Sequence, residues 1–332
     1  MSWPSNADRT WCASDQHSSV STPGMTIDLA DQPLHTLLGQ LRQRLDPLAP
    51  GAIVALDIPD PDLCPGCYAG ERFEANGHTH RHRSWRSWNE LATLLMCRML
   101  TPERISEHRV RIRLQKLDPD ATFHRAESDP EKYGIHSPFA RINKREEPAF
   151  LWHYEHALQE VQIARRHRIL DLGINTGDEF ALIDAHLGTN HDIEMVGIDH
   201  STSAIEAART RLPRATFHCH DINELSALDL GRFDLLISIG TLQSPGIETK
   251  PLLMNLAQNH LTDDAALILG FPNSRWIDGE LIPGARAPNY PFNELSLVIK
   301  DIYWIKKYLQ QHHYRVRIIG TSYLFLVATH NT

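Results

Sequence analysis

The sequence predicts an α/β protein: a doubly wound, mainly parallel seven-stranded sheet with a C-terminal antiparallel hairpin, preceded by a smaller α+β domain. Three observations carry this expectation. From Arg166 onward, short apolar runs alternate with helical patterns, as in repeated βα units that build a parallel sheet with helices on both faces. The last two apolar runs, 314–319 and 323–329, flank a short turn at Gly320-Thr321, as hairpin strands do. Before residue 149 the chain mixes helical spacing, period-two alternation and polar irregular stretches, which suits a separate small domain.

Taken in order, residues 1–30 are rich in Ser, Thr, Asp and Asn and are expected to be a disordered tail. Leu34, Leu37, Leu38, Leu41 and Leu45 recur at helical spacing. Residues 51–58 read as a strand stopped by Pro59 and Pro61, and 64–82 as a loop. Ser87-Trp88-Asn89-Glu90 has the pattern of a capping box opening a helix to about Leu100. Val110, Ile112 and Leu114 alternate with Arg109, Arg111 and Arg113, giving a strand with one buried and one basic face. Residues 118–147 read as irregular, and 149–163 as a helix with Leu151, Tyr154, Leu158 and Val161 on one side. The domains expected are therefore 31–148 and 149–332.

In the second domain, strands are expected at 168–172, 193–198, 215–218, 233–239 and 265–270. Helices are expected at 178–186, 203–212, 251–260 and 295–311, with an irregular segment at 271–292. Pro251 in the first turn of its helix costs nothing, because the missing N–H would be unpaired there anyway.

Composition narrows the function classes. The chain has 332 residues, suiting more than one domain on a prior of roughly 100–200 residues each. A hydrophobic fraction of 42% can build cores, but no apolar run reaches the ~20 residues of a membrane span. Five cysteines, with only Cys64 and Cys67 close together, do not make a disulfide framework and point to a reducing cytoplasm. A net charge of -8 argues against general nucleic-acid binding, although residues 72–116 are locally basic.

The glycine loop after the first strand of the second domain is where a doubly wound sheet binds its ligand. It reads Asp171-Leu172-Gly173-Ile174-Asn175-Thr176-Gly177. A dinucleotide fingerprint would need glycines at 173, 175 and 178, but Asn175 and Asp178 stand at two of these positions. The loop instead resembles that of class I S-adenosylmethionine-dependent methyltransferases, an acid followed by glycines two, four and six residues on, with Asn175 in place of the middle glycine. Asn tolerates unusual backbone angles better than most residues. Two later strand ends add to the resemblance: Asp199-His200 after the second and Asp221-Ile222 after the third.

The resemblance covers residues from about 165 onward and implies the following. S-adenosylmethionine is the cofactor and S-adenosylhomocysteine the product. Asp171 sits near the cationic methionine end, with the 173–177 backbone packed on the cofactor. Asp199, with His200 beside it, accepts from the ribose hydroxyls; Asp221 and the Ile222 backbone meet the adenine. Ser238 ends the fourth strand beside the cofactor. The C-terminal hairpin is the family's usual ending.

The acceptor is harder to read, because in-line methyl transfer asks the protein mainly to position groups. Gln243 lies in the loop after the fourth strand, which lacks an Asn/Asp-Pro-Pro-Tyr motif. Trp276, Arg286 and Tyr290 lie in the long loop after the fifth, a length usually associated with function. In the segment 133–144, Tyr133 and His136 are candidates for acceptor or base contacts, and Arg141 and Lys144 for an acceptor carboxylate. A small polar or anionic molecule is thus the expected substrate, with RNA or protein methylation as the alternative. The alternative outside enzymes is a non-catalytic cofactor- or zinc-binding interaction protein, in which Cys64 and Cys67 with two of His78, His80 and His82 would hold zinc. The sequence is silent on oligomeric state.

Overall fold

The structure, a computed structural model, describes residues 29–122, 130–284 and 295–330. The expected tail, Arg286 and Tyr290 lie outside the described residues, the tail but for its last two positions. The chain divides into two compact units, Met1–Pro119 and Asp120–Thr332. The segment carrying Tyr133 to Lys144 therefore goes with the second unit, not with the first as expected.

In the first unit, α1 (Leu34–Leu45) buries Leu37, Leu41 and Leu45, one residue per turn. The chain continues through β1 (Ile53–Pro59), β2 (Arg72–Ala75), β3 (His78–Arg81), α2 (Trp85–Leu94), β4 (Cys97–Arg104) and β5 (Arg109–Lys116). Strands β1, β5 and β4 form an antiparallel sheet in that order. The period-two reading of β5 holds: Val110, Ile112 and Leu114 are buried against α1 and α2 residues. On the other face Arg111 grips the Asp57 carboxylate through two nitrogens at 2.6 and 2.9 Å, and Arg109 donates to the Asp57 carbonyl at 2.7 Å.

Three expectations fail in this unit. The second helix starts before Ser87, capped by Ser84, whose Oγ accepts from Ser87 N at 3.2 Å. It stops at Leu94; Met96 turns the chain with a left-handed φ of 54°, and β4 follows where helix was expected. Pairing of β4 with β5 outweighs the helical spacing of the leucines. The region read as loop contains the β2–β3 hairpin, turning on Asn76 and Gly77 with φ of 51° and 72°. Positive φ at both central residues is what a type I′ turn requires of Asn-Gly. Finally, Cys64 and Cys67 are bonded to each other, so the thiols expected to be free, or to ligate zinc, are joined. Among the described residues no cluster of His, Cys, Asp and Glu could hold a metal ion.

The second unit begins, after short turns, with α3 (Pro148–Glu160), which buries Phe150, Tyr154, Ala157 and Leu158. Then follow β6 (Arg168–Leu172), α4 (Asp178–Leu187), β7 (Glu194–Asp199), α5 (Thr202–Arg211), β8 (Thr216–Cys219), β9 (Phe233–Ile239) and α6 (Thr249–Asn255). The chain ends through β10 (Leu261–Pro272), β11 (Ser274–Ile277), β12 (Glu280–Pro283), α7 (Leu295–Gln311), β13 (Tyr314–Gly320) and β14 (Tyr323–His330).

Seven strands pair in the order β13-β14-β10-β9-β6-β7-β8. The five from β10 to β8 are parallel, and β14 runs antiparallel to both β10 and β13. This is the predicted fold class. One core packs α6 and α7 on one face of the sheet through Leu252, Leu253, Ile302 and Ile305. The other packs α3, α4 and α5 on the opposite face through Tyr154, Phe180, Ile183 and Ile205. The described part of the segment expected to be irregular forms the β11–β12 hairpin, turning on Asp278 and Gly279 with φ of 49° and 80°. Among the described residues no helix is long and apolar enough to cross a membrane.

Candidate active site

Strand order reverses between β6 and β9: β7 and β8 extend the sheet one way, β10 and β14 the other. The crevice beyond the carboxyl ends of these strands is where open α/β sheets bind ligands. The loop leaving β6 occupies it. Gly173 has φ of 79°, and a Cβ there would stand 1.9 Å from Thr241 Oγ1. Gly177 has φ of 84°, caps α4, and would bring a Cβ to 2.6 Å from Leu212 Cδ1. Gly173 has no room for a side chain against Thr241, so backbone forms this edge of the crevice, while Gly177 lies off the cavity wall.

Asn175 stands where the resemblance wants glycine, and the structure shows what it does there. Its φ is 50°, in the left-handed region that Asn tolerates. Its backbone N donates to Asp199 Oδ2 at 2.9 Å, its Oδ1 accepts from Thr176 N at 2.9 Å, and its Nδ2 donates to the Tyr133 carbonyl at 2.7 Å. The last bond fastens the segment before α3 to the glycine loop. A second fastening lies nearby: the Glu131 carboxylate accepts from Ser201 Oγ at 3.1 Å and from Ser203 Oγ. The Ser203 hydrogen bonds hold the Glu131 carboxyl below its ordinary range. Asn175→Gly restores the family pattern but loses the Tyr133 bond, worth about 0.5–1.5 kcal/mol. The expected outcome is faster hydrogen exchange across residues 131–142 and cofactor affinity lower by up to roughly tenfold. Unchanged exchange and affinity would contradict the fastening.

A cavity of ≈ 1030 Å³ opens in front of this loop, lined by Gly173 to Thr176, Asp199, His200, Asp221 and Ile222. Asp199 is 6% exposed; its Oδ1 accepts from Ser201 N at 2.9 Å, and its carboxylate still faces the cavity. His200 Nδ1 lies 3.8 Å from Asp199 Oδ1. Asp221 caps the turn that follows β8, its Oδ1 accepting from Asn223 N at 2.8 Å.

Asp171 is placed differently. It does not line the cavity; it is fully buried beneath the loop, and neither carboxylate oxygen has a hydrogen-bond partner among the described residues. Burial, and then the neighbouring Glu179, push its carboxyl well above the carboxylate range. Asp171 is therefore a buried carboxyl beneath the loop and off the cavity wall, not the ligand contact that the resemblance implies. Asp199 and Asp221 line the cavity, and their carboxylates suit the hydroxyl and amine groups of S-adenosylmethionine.

The rest of the cavity mixes aliphatic and polar residues with five aromatic ones, Tyr133, Phe139, Phe150, Trp276 and Tyr323. Tyr133 packs edge-on against Phe139 with ring centroids 5.2 Å apart, and Phe150 against Tyr323 at 5.3 Å. Trp276, from β11, also lines the cavity, as do Ile142 and Leu281. Of the sequence candidates, Tyr133 and Trp276 therefore reach the cavity. Several others do not. His136 and Arg141 are exposed and off the cavity wall. Ser238 is buried, and its hydroxyl donates to the Leu172 carbonyl at 2.9 Å, tying β9 to β6 rather than facing a ligand. Gln243 is absent from the wall, its amide buried without a partner among the described residues.

Lys144 lines the cavity, but its ammonium is committed to Glu179 at 2.5 Å. Burial lowers the Lys144 pKa, but the Glu179 carboxylate outweighs this and raises it. Phe150, Tyr323 and Glu147 were missed in the sequence. Phe150 looks like a core residue of a helix, and Tyr323 lies on the last strand, far along the chain from the glycine loop.

Residues 170–267 match a sequence family described as a methyltransferase domain. Among solved structures, the chain is similar to the plantazolicin methyltransferase BpumL in complex with SAH. The identity is 17%, over 64% of this chain and 95% of that one, with a TM-score of 0.46. It is also similar to an S-adenosylmethionine-dependent methyltransferase from Aquifex aeolicus, at 14% identity over 61% and 98%, TM-score 0.43. A third similar structure is the [4+2]-cyclase SpnF, at 14% identity over 55% and 82%, TM-score 0.40. Comparison with curated proteins gives no match. The family match falls on the strands and loops that form the crevice. The second unit thus carries, over residues 170–267, a match to a methyltransferase domain on a doubly wound sheet that ends in an antiparallel hairpin.

Proposed function

We propose that the chain is a class I S-adenosylmethionine-dependent methyltransferase that acts on a small polar molecule with a flat apolar body, bound on the side of the cavity that carries aromatic rings. The observation that carries this reading is the cavity itself. At ≈ 1030 Å³ it stands at the top of the range of about 300–1,000 Å³ for single-ligand pockets, so a cofactor and a second small molecule fit together. In the proposed arrangement Gly173 to Thr176 give close backbone approach, Asp199 accepts from the ribose hydroxyls, and Asp221 and Ile222 hold the adenine. S-adenosylmethionine supplies an electrophilic methyl group when bound. The chain's own contribution is to orient the acceptor and exclude water. Of the cations expected for an anionic acceptor, Lys144 is already neutralised by Glu179 and Arg141 is off the cavity wall, while Lys132, beside the Tyr133 ring, lines the cavity.

Two measurements test the proposal. A charge-assisted hydrogen bond contributes about 1.5–3 kcal/mol, so Asp199→Ala should weaken S-adenosylhomocysteine binding by roughly 10²-fold; unchanged affinity on calorimetry refutes the ribose assignment. Turnover should appear with metabolite-sized acceptors. Turnover confined to RNA or protein would refute the small-molecule reading.

A further inference from the structure

Four carboxylates line the cavity: Glu147, Asp178, Asp199 and Asp221. Three are occupied. Asp178 is paired with Arg145 at 3.1 Å and Arg211 at 2.7 Å, Asp199 accepts from two backbone N–H groups, and Asp221 caps the turn after β8. Glu147 differs. It precedes α3 without capping it, and its side chain has no ion pair or hydrogen bond among the described residues. Ala149 and Phe150, on the first turn of α3, line the cavity with it. Glu147 is thus an uncommitted carboxylate on a wall that also carries the rings of Tyr133, Phe139, Phe150, Trp276 and Tyr323.

Resting on the small-molecule reading above, we propose that Glu147 is the general base of the reaction, and that the acceptor is an aromatic or heteroaromatic ring bearing an O–H or N–H. The geometry is the argument. Rings on the wall bind a flat body through stacked and edge-on contacts, and the uncommitted carboxylate can accept the proton the acceptor must lose. In the step, the lone pair of the acceptor oxygen or nitrogen forms the new bond to the methyl carbon. The carbon–sulfur bond breaks with its electron pair left on sulfur, giving a neutral thioether. The acceptor proton passes to a Glu147 oxygen and then to water, which restores the carboxylate. Burial raises the Glu147 pKa, which strengthens it as a base.

The test uses the full chain with catechol, naphthol and benzimidazole as probes, reading S-adenosylhomocysteine formation. S-adenosylhomocysteine binding is measured separately by calorimetry. Wild type should turn over at least one probe. Glu147→Gln should lower kcat by about 10²-fold or more, with KM and S-adenosylhomocysteine affinity close to wild type, and Glu147→Asp should recover part of the loss. The base assignment is overturned if Glu147→Gln keeps kcat, if only KM moves, or if S-adenosylhomocysteine affinity falls in parallel. The acceptor class is overturned if wild type binds S-adenosylhomocysteine but turns over no probe. Failure of wild type to bind S-adenosylhomocysteine at all would instead remove the reading on which the proposal rests.

Discussion

Gly173→Ala is expected to cost about 10²-fold in cofactor affinity or in turnover. Two effects act together. The residue holds φ at 79°, where a side chain is strained by roughly 1–2 kcal/mol. Its new Cβ would also stand 1.9 Å from Thr241 Oγ1, 2.7 Å from Thr241 Cγ2 and 2.8 Å from Thr241 Cβ. Thr241 is short and β-branched, so it has no flexible arm to swing away. The loop or the turn after β9 must move instead, and both line the cavity. Thr241→Gly in the Gly173→Ala background should recover part of the loss by removing the clash while leaving the backbone strain. Calorimetry with S-adenosylhomocysteine reads both variants. Affinity and turnover within threefold of wild type in Gly173→Ala would show that the loop tolerates the side chain.

Lys144→Met is expected to destabilise the second unit by about 3–5 kcal/mol, the cost of stranding one partner of a buried ion pair. Glu179 is 1% exposed and takes Lys144 Nζ at 2.5 Å, while Asp171, also buried, has no hydrogen-bond partner among the described residues. Without the ammonium, two buried carboxyls face each other with no cation between them. For a unit of this size the loss corresponds to a fall in Tm of roughly 10 °C. Adding Glu179→Gln removes the stranded charge and should return much of the stability, because neutral replacement of both partners is commonly tolerated. Thermal unfolding of the single and double variants reads the effect. A single variant within 2 °C of wild type would mean that the pair contributes little.

Much of the second unit is legible in the sequence because its signals are local. The acids at strand ends, Asp171, Asp199 and Asp221, and the left-handed positions at Gly173 and Gly177 follow from runs of a few residues. What was missed has two physical causes. Both unexpected hairpins turn on Asn76-Gly77 and Asp278-Gly279, a local signal that lay between strands too short to show clear alternation. The proposed acceptor side of the cavity, in contrast, is assembled by tertiary structure: Glu147 and Phe150 come from the start of α3, Trp276 from β11 and Tyr323 from β14. No spacing rule brings these together. The same cause explains Lys144, a charge that looked available for substrate until the fold set Glu179 beside it. It also explains Ser238, whose hydroxyl is used by the neighbouring strand. The first unit folds on its own small core, and its arginine face is partly satisfied by Asp57.

The central claim is that one cavity holds the cofactor at the glycine loop with its sulfur turned toward the aromatic rings. A crystal structure with S-adenosylhomocysteine bound tests this most directly. The account predicts the ribose hydroxyls on the Asp199 carboxylate, the adenine beside Asp221 and Ile222, and the sulfur facing the space between Tyr133, Phe150, Trp276 and Tyr323. Adenine among those rings, or ligand bound away from Gly173, would contradict it.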